Sequence, residues 1–67
     1  MDTREIGKLI RTRRKSRRLP QADLAEIAGI AIRTLRAIEK GNGNPEMNTL
    51  IRICEVLGLR ITISVIT

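Results

Sequence analysis

Near the middle of the chain, a glycine separates two short runs of apolar residues. Apolar residues recur at helical spacing before and after it: Leu24, Ala25, Ala28, Leu35 and Ile38. Gly29 interrupts the first run, and glycine adopts the left-handed conformation that ends many helices at little cost. Gly41 closes the second run, which we expect to open near Ala31 and to end at Lys40. Residues 19–41 therefore predict two short helices joined by a tight corner.

The length and the amino-acid composition of the chain indicate one small domain. A chain of 67 residues without Phe, Tyr or Trp must build its core from aliphatic side chains. The lone Cys54 excludes an intramolecular disulfide, and the absence of histidine and of a cysteine cluster excludes an ordinary zinc site. We therefore expect no metal and no cofactor, and we expect dimerisation to compensate for the small core.

The charge distribution favours a polyanionic partner. The net charge is +6, and eight of the 13 Lys and Arg residues lie within the first 18 positions. Lys and Arg side chains bind nucleic acid by releasing counterions from phosphates, although a solvated basic face is the alternative. No stretch approaches the ~18 apolar residues of a membrane span, and the N-terminus lacks a signal peptide's apolar segment. We expect a cytoplasmic protein without a membrane partner.

Two further helices flank the central pair. The spacing predicts one from Thr3 to about Arg17, capped by Asp2 or Thr3, and another from about Met47 to Leu57. Their inward residues are expected to be apolar: Ile6, Leu9, Ile10, Met47, Leu50, Ile51, Ile53, Cys54 and Leu57. Cys54 is interpreted as a small core residue, since no histidine is present to activate a thiol.

The apolar period changes from helical to twofold after Gly58. Alternate residues in this β-branched segment share one face: Leu59, Ile61, Ile63 and Val65. The pattern predicts a β-strand over residues 60–67, and the chain contains no second strand to pair with it. We expect the same strand of a second copy to pair antiparallel with it and make a dimer. A frayed or fusion-dependent tail is the alternative.

These features together resemble a known family of regulators. The matching residues are Gln21, Leu24, Ala25, Gly29, Ile30, Leu35, Ile38, Glu39, Gly41, Asn44, Pro45, Leu57, Gly58 and Leu59. They are similar to the Cro/C1-type (XRE) helix-turn-helix family of phage repressors and bacterial regulators, over about residues 6–59. The resemblance implies a mainly α fold, a bundle of four helices over residues 1–59. The predicted dimerisation strand at residues 60–67 makes the C-terminal end of the chain resemble that of the HipB-type antitoxins.

The resemblance also implies where DNA binds. In this family the second helix of the motif enters the major groove. Carried over by position, the DNA-binding residues are Gln21, Ala31, Ile32, Arg33, Thr34, Arg36, Ala37 and Asn42. Arg33 would contact guanine and Ile32 a thymine methyl group, while Thr34, Arg36 and Gln21 would contact phosphate. Asn42 belongs to the loop after that helix, where small residues let backbone amides approach a phosphate.

Each of these assignments has an alternative. Arg33 and Arg36 would otherwise form an exposed charged face, Gln21 a solvated first-turn residue, and the loop at 41–45 a plain connector. The chain also departs from the family, which usually has glycine where Arg18 stands and Thr or Ser where Pro20 stands. Alanines replace the usual polar residues at two positions of the DNA-binding helix, Ala31 and Ala37.

An internal ion pair is a further implication of the resemblance. Arg14 and Glu39 match positions at which such repressors carry a buried arginine–glutamate pair between the first helix and the third. A guanidinium on the inner edge of the first helix needs a carboxylate partner. An Arg14 that faces phosphate is the alternative.

The function expected is sequence-specific repression by a homodimer on a palindromic operator in double-stranded DNA. The alternative is an antitoxin whose main role is to bind and neutralise a toxin protein, with operator binding as autoregulation. An enzyme is not expected, because the chain has no histidine and its seven carboxylates are scattered. We expect no small-molecule substrate. RNA-binding modules use stacking aromatic residues, which are absent here.

Overall fold

Four helices form the protein, and the computed structural model describes residues 1–67. They are α1 (Thr3–Ser16), α2 (Gln21–Ala28), α3 (Ile32–Glu39) and α4 (Met47–Leu57). α1 packs against α3 and α4, and α2 packs against the same two helices. The helix-turn-helix pair, α2 and α3, is therefore held between the first and last helices of the bundle.

The helices begin and end close to the capping and helix-breaking residues of the sequence. The carboxylate Oδ1 of Asp2 accepts a hydrogen bond from the Glu5 N–H at 2.9 Å, which caps α1 as predicted. Gly29 ends α2 in the left-handed conformation, with φ of 72°. No side chain caps α2, α3 or α4, since Pro20, Ala31 and Glu46 at their N-cap positions make no capping hydrogen bond. These three short helices depend on packing for their stability.

Nine buried aliphatic side chains form the core: Ile10, Leu24, Ala25, Ala28, Leu35, Ile38, Leu50, Ile53 and Leu57. All four helices contribute, and each fully buried Leu or Ile stabilises the fold by about 1.5–3 kcal/mol. The prediction that Leu9, Met47 and Ile51 point inward was wrong, since Leu9 and Met47 are about half exposed and Ile51 is 39% exposed. The segment at residues 59–62 lines hollows beside these side chains but leaves them exposed.

Backbone geometry between the helices depends on Arg18. Its φ of 54° makes it the only non-glycine residue in the left-handed region. Such a conformation is unfavourable for a residue with a Cβ, which explains why glycine suits this corner better. The chain reverses here so that Leu19, half-buried, packs against the core ahead of α2.

The predicted C-terminal strand is wrong. Residues 60–67 have no regular secondary structure and make no backbone hydrogen bond. Leu59 is half-buried against the core, but Ile63 and Val65 are 88% and 87% exposed and Ile61 is also exposed. An alternating pattern forms a strand only beside a second strand that accepts and donates its hydrogen bonds, and this chain provides none. The fold is all-α.

Candidate nucleic-acid interface

The corner between α2 and α3 determines which face of α3 is exposed. The Ile30 N–H donates to the Ala25 carbonyl oxygen at 2.9 Å, so the chain turns tightly around Gly29. Leu35 and Ile38 then anchor α3 in the core, with exposed fractions of 0% and 4%. The side of α3 opposite these two anchors lies at the surface of the protein.

One surface depression, the α3 hollow, collects four of the predicted DNA-binding residues. Its lining comes from α3 and the loop that follows: Arg33, Thr34, Ala37, Ile38, Asn42, Gly43, Asn44 and Pro45. Arg33 and Asn42 are exposed, whereas Thr34 and Ala37 are half-buried. A guanidinium, a hydroxyl and an amide thus lie around one hollow, and all three are groups that hydrogen-bond to base edges or phosphates.

Four predicted residues lie outside this hollow: Gln21, Ala31, Ile32 and Arg36. Ala31 is exposed at the N-cap position of α3, where its side chain offers no hydrogen bond. Ile32 is half-buried and packs against the core, so only part of its side chain faces outward. Of the residues in the first turn of α3, Arg33 therefore presents the largest polar group.

A buried ion pair joins α1 to the end of α3. Arg14 Nε lies 2.7 Å from Glu39 Oε2, and Arg14 Nη2 donates to Glu39 Oε1 at 2.9 Å. Both residues are 8% exposed, and a third guanidinium nitrogen, Nη1, donates to the Leu19 carbonyl oxygen at 2.9 Å. Arg14 is thus used internally, and its planar fork is matched by a bidentate carboxylate.

Gln21 extends this ion pair towards the surface. Its Nε2 donates to Glu39 Oε1 at 3.0 Å, and the residue is half-buried. The carboxylate of Glu39 therefore accepts hydrogen bonds from two helices, α1 and α2, while belonging to α3. A primary amide carries two N–H donors, so one donor of Gln21 remains available beyond Glu39.

A second depression, the basic cleft, places Gln21 beside three cations. It is lined by Arg11, Gln21, Arg36, Glu39 and Lys40. Arg36 was among the predicted DNA-binding residues, but Arg11 and Lys40 were not. Lys40 follows Glu39 directly, and Arg11 lies one helical turn before Arg14 on α1. The positions of Arg14 and Glu39 were therefore the sequence signal that could have identified both neighbours.

Three further features concern a possible metal site, the thiol of Cys54 and the apolar character of the helices. No group of three or more Asp, Glu and Cys side chains is arranged to hold a metal ion. Cys54 is half-buried, and burial raises the pKa of its thiol, which keeps it protonated at neutral pH. None of the helices has the length and apolar character required to span a membrane.

Comparison with known proteins gives consistent matches. A family model described as Helix-turn-helix matches residues 10–63. The uncharacterized HTH-type transcriptional regulator y4mF of Sinorhizobium fredii (strain NBRC 101917 / NGR234) is 32% identical over 59 residues, covering 88% of this chain and 78% of that protein.

Two proteins of Bacillus phage phi105 are also similar. The immunity repressor protein is 35% identical over 57 residues, which cover 85% of this chain but 40% of the repressor. The ImmF control region 10 kDa protein is 32% identical over 63 residues, covering 94% of this chain and 70% of that protein. The chain thus spans less than half the length of the immunity repressor.

Proposed function

Since this chain belongs to the Cro/C1-type helix-turn-helix family of DNA-binding transcriptional regulators, we propose that it represses transcription by binding a specific operator with α3 in the major groove. The observation that carries the proposal is the α3 hollow, where Arg33, Thr34 and Asn42 lie on the exposed side of a helix anchored by Leu35 and Ile38. A rigidly held helix with polar groups on its outer face suits base readout.

Arg33 is the principal reader of sequence in this proposal. It is exposed in the first turn of α3, and a guanidinium matches the O6 and N7 acceptors of guanine in the major groove. Ile32 contributes an apolar contact to a thymine methyl group through the part of its side chain that faces outward. Thr34, Arg36 and Asn42 bind phosphates on either side of the groove and carry little sequence information.

Gln21 binds phosphate with the amide hydrogen that Glu39 leaves free. One N–H of its Nε2 is directed at Glu39 Oε1, 3.0 Å away, and this contact orients the amide. The side chain need not leave the buried pair to reach a phosphate, since the second N–H is available. Glu39 therefore acts as a positioning residue for the DNA contact of α2, in addition to neutralising Arg14.

Two copies bind the operator together. Few side chains of α3 can read bases, so one subunit discriminates weakly and a two-fold operator doubles the contacts. Their interface is an apolar patch on α1, α4 and the segment that follows, consisting of Leu9, Met47, Ile51 and Ile61. All four side chains are exposed by about two-fifths or more. Packing of these side chains against a second copy requires no β-strand.

Selection from a pool of randomised duplexes, followed by affinity measurements, tests the readout. We expect an inverted repeat with half-sites about 10 base pairs apart or a multiple of that spacing. Arg33→Ala should weaken binding to the selected duplex by about 1–3 kcal/mol and change binding to random duplex little. Arg33→Lys is the matched control, because it keeps the charge but lacks the bidentate fork. Equal losses on both duplexes would mean that Arg33 contacts phosphate only.

Sedimentation tests the dimer separately. Leu9→Glu combined with Ile51→Glu places two charges in the apolar patch and should convert the dimer to a monomer, because burying carboxylates in an apolar interface costs free energy. Ile27→Glu is the control, since Ile27 is 61% exposed on α2, outside the patch. Monomeric wild-type protein at all concentrations used, or a dimer unaffected by the double substitution, would contradict this interface.

The antitoxin alternative stays a prediction. Its sequence support was the HipB-like strand, and residues 60–67 form no strand. No surface described here favours a toxin over a second copy of the chain.

A further inference from the structure

The basic cleft continues along α1, beyond the residues that the family resemblance assigns to DNA. A neighbouring depression is lined by Lys8, Arg11, Thr12, Lys15 and Glu39, so the two share Arg11 and Glu39. Neither depression has a hydrophobic residue in its lining. An apolar ligand or an apolar peptide face would find no contact surface here.

The cations of this surface, which we call the basic band, come from two helices. Lys8, Arg11 and Lys15 are spaced three and four residues apart and so share one face of α1. Arg36 and Lys40 are spaced four apart at the end of α3 and continue that face across the helix junction. All five side chains are exposed.

No carboxylate neutralises the basic band. The only acidic residue in its lining is Glu39, which is occupied by Arg14 and Gln21. Arg14–Glu39 is also the only ion pair in the protein, so none of the five cations has a carboxylate oxygen within 4.0 Å. Five unpaired positive charges held side by side on rigid helices repel one another, and a polyanion relieves that repulsion.

The dimensions suit a nucleic-acid backbone. Lys8 and Lys15 are seven residues apart on α1, which corresponds to about 10 Å along the helix axis. Cations spread over that length can contact more than one phosphate of a DNA strand, because each nucleotide of the strand carries a charge. The band includes Arg36 on α3, so a duplex whose major groove receives α3 brings one of its strands alongside the rest of the band.

We infer that Lys8, Arg11, Lys15 and Lys40 form a second phosphate-binding surface, along which the DNA backbone flanking the recognition site runs. The inference rests on the proposed function, since it extends the same complex. It adds contacts that are independent of base sequence and that strengthen binding to operator and random DNA alike. The band would thereby determine how strongly affinity depends on salt.

The experiment measures binding to a labelled random-sequence duplex of about 20 base pairs over about 50–200 mM salt. Arg11→Gln/Lys15→Gln removes two charges from the band. We expect the slope of log affinity against log salt to become shallower by about two for each bound subunit, and so by nearly four for a dimer, since each lost phosphate contact contributes roughly 0.9. Arg52→Gln/Arg60→Gln is the matched control, because both arginines are exposed on α4 and the following segment. The control should keep the wild-type slope.

Two results would overturn the inference. The first is a wild-type slope for the band variant, and the second is an equal change in band variant and control, which would indicate net charge alone. Arg11→Lys/Lys15→Arg should retain the slope, and circular dichroism checks that every variant is folded. Random duplex separates the two proposals: Arg33 can fail as a base reader while the band still alters the slope. Conversely, Arg33 can discriminate sequence while the band has no effect.

Discussion

The two sides of α1 use arginine in opposite ways. Towards α3, Arg14 is buried and held by a bidentate carboxylate and a carbonyl oxygen. Towards α4, Arg13 and Arg17 are exposed, and each donates a single hydrogen bond to a carbonyl oxygen at the end of α4. Neighbouring residues of one type thus have different roles because the surfaces that meet them differ in burial. The α3 side is closed by charge pairing, whereas the α4 side has single hydrogen bonds and leaves apolar side chains such as Leu9 and Met47 about half exposed.

The packing of α1 is also tighter on the α3 side than on the α4 side. On the α3 side Gly7 approaches so closely that a Cβ there would overlap the Ile38 carbonyl oxygen. On the α4 side Leu9 and Met47 remain half exposed. A tightly closed junction tolerates few substitutions, whereas an open one is available for association with another molecule.

The largest effect is expected from breaking the buried pair. Arg14→Met or Glu39→Leu alone leaves an unpaired buried charge, so either should lower the free energy of unfolding by about 3–5 kcal/mol. The double variant should recover much of that loss, since two apolar side chains need no partner. Urea denaturation of the four proteins measures the coupling energy. A coupling near zero would mean that the pair contributes nothing despite its geometry.

A smaller effect is expected at the helix crossing. Gly7→Ala should lower the free energy of unfolding by about 1–3 kcal/mol, because the added methyl group meets backbone and cannot be accommodated by a side-chain rotation. Lys8→Ala, at the exposed neighbouring position, is the control. Stabilisation by Gly7→Ala, as intrinsic helix propensity alone would favour, would show that α1 can move away from α3.

On the open side, losses should be modest. Arg13→Ala removes the 2.8 Å hydrogen bond to the Leu57 carbonyl oxygen and should cost about 0.5–1 kcal/mol, since water can replace the lost donor at this partly buried site. Arg17→Ala, whose bond to the Val56 carbonyl oxygen is 3.3 Å long, should cost less. Thermal denaturation followed by circular dichroism ranks the two. A loss as large as that of Arg14 would remove the distinction between the two sides.

The smallest effect is expected from the chain end. Deleting residues 63–67 should change the free energy of unfolding by less than about 0.5 kcal/mol, because these side chains are exposed and the segment makes no backbone hydrogen bond. The deletion keeps Ile61 and the apolar patch, so dimerisation should persist as well. Unfolding or dissociation after this deletion would mean that the segment contacts something beyond the single chain.

Local spacing was enough to predict the helices. Apolar residues three and four apart, with Gly29 and Gly41 as breaks, placed α2 and α3 to within a residue or two. α4 begins and ends at Met47 and Leu57 as predicted. Such signals are local, since a helix satisfies its own backbone hydrogen bonds and needs a neighbour only for its apolar face.

The C-terminal segment shows where local spacing was insufficient. Its β-branched residues alternate as they do in a strand, and this pattern is as regular as the helical spacing elsewhere in the chain. A strand, however, satisfies its backbone hydrogen bonds only through another strand. The residues of the candidate nucleic-acid interface fall into the same two groups, those that the local sequence indicates and those that it does not. Arg33 and Asn42 could be proposed as DNA-binding residues by position in the motif, whereas the grouping of Arg11 with Lys40 could not be predicted, since these residues lie 29 positions apart in the sequence.

Local sequence patterns were therefore sufficient to predict the four helices, the glycine corner between α2 and α3 and the likeness to a regulator family, and the composition gave the excess of positive charge. Contacts between distant parts of the chain account for the hydrogen bond from Gln21 to Glu39, the exposure of Leu9 and the continuity of the basic band across α1 and α3. The two groups of features differ in how far apart in the sequence the interacting residues lie. Backbone conformation and helix ends depend on residues within about one turn, whereas burial and ion pairing depend on which distant surfaces meet.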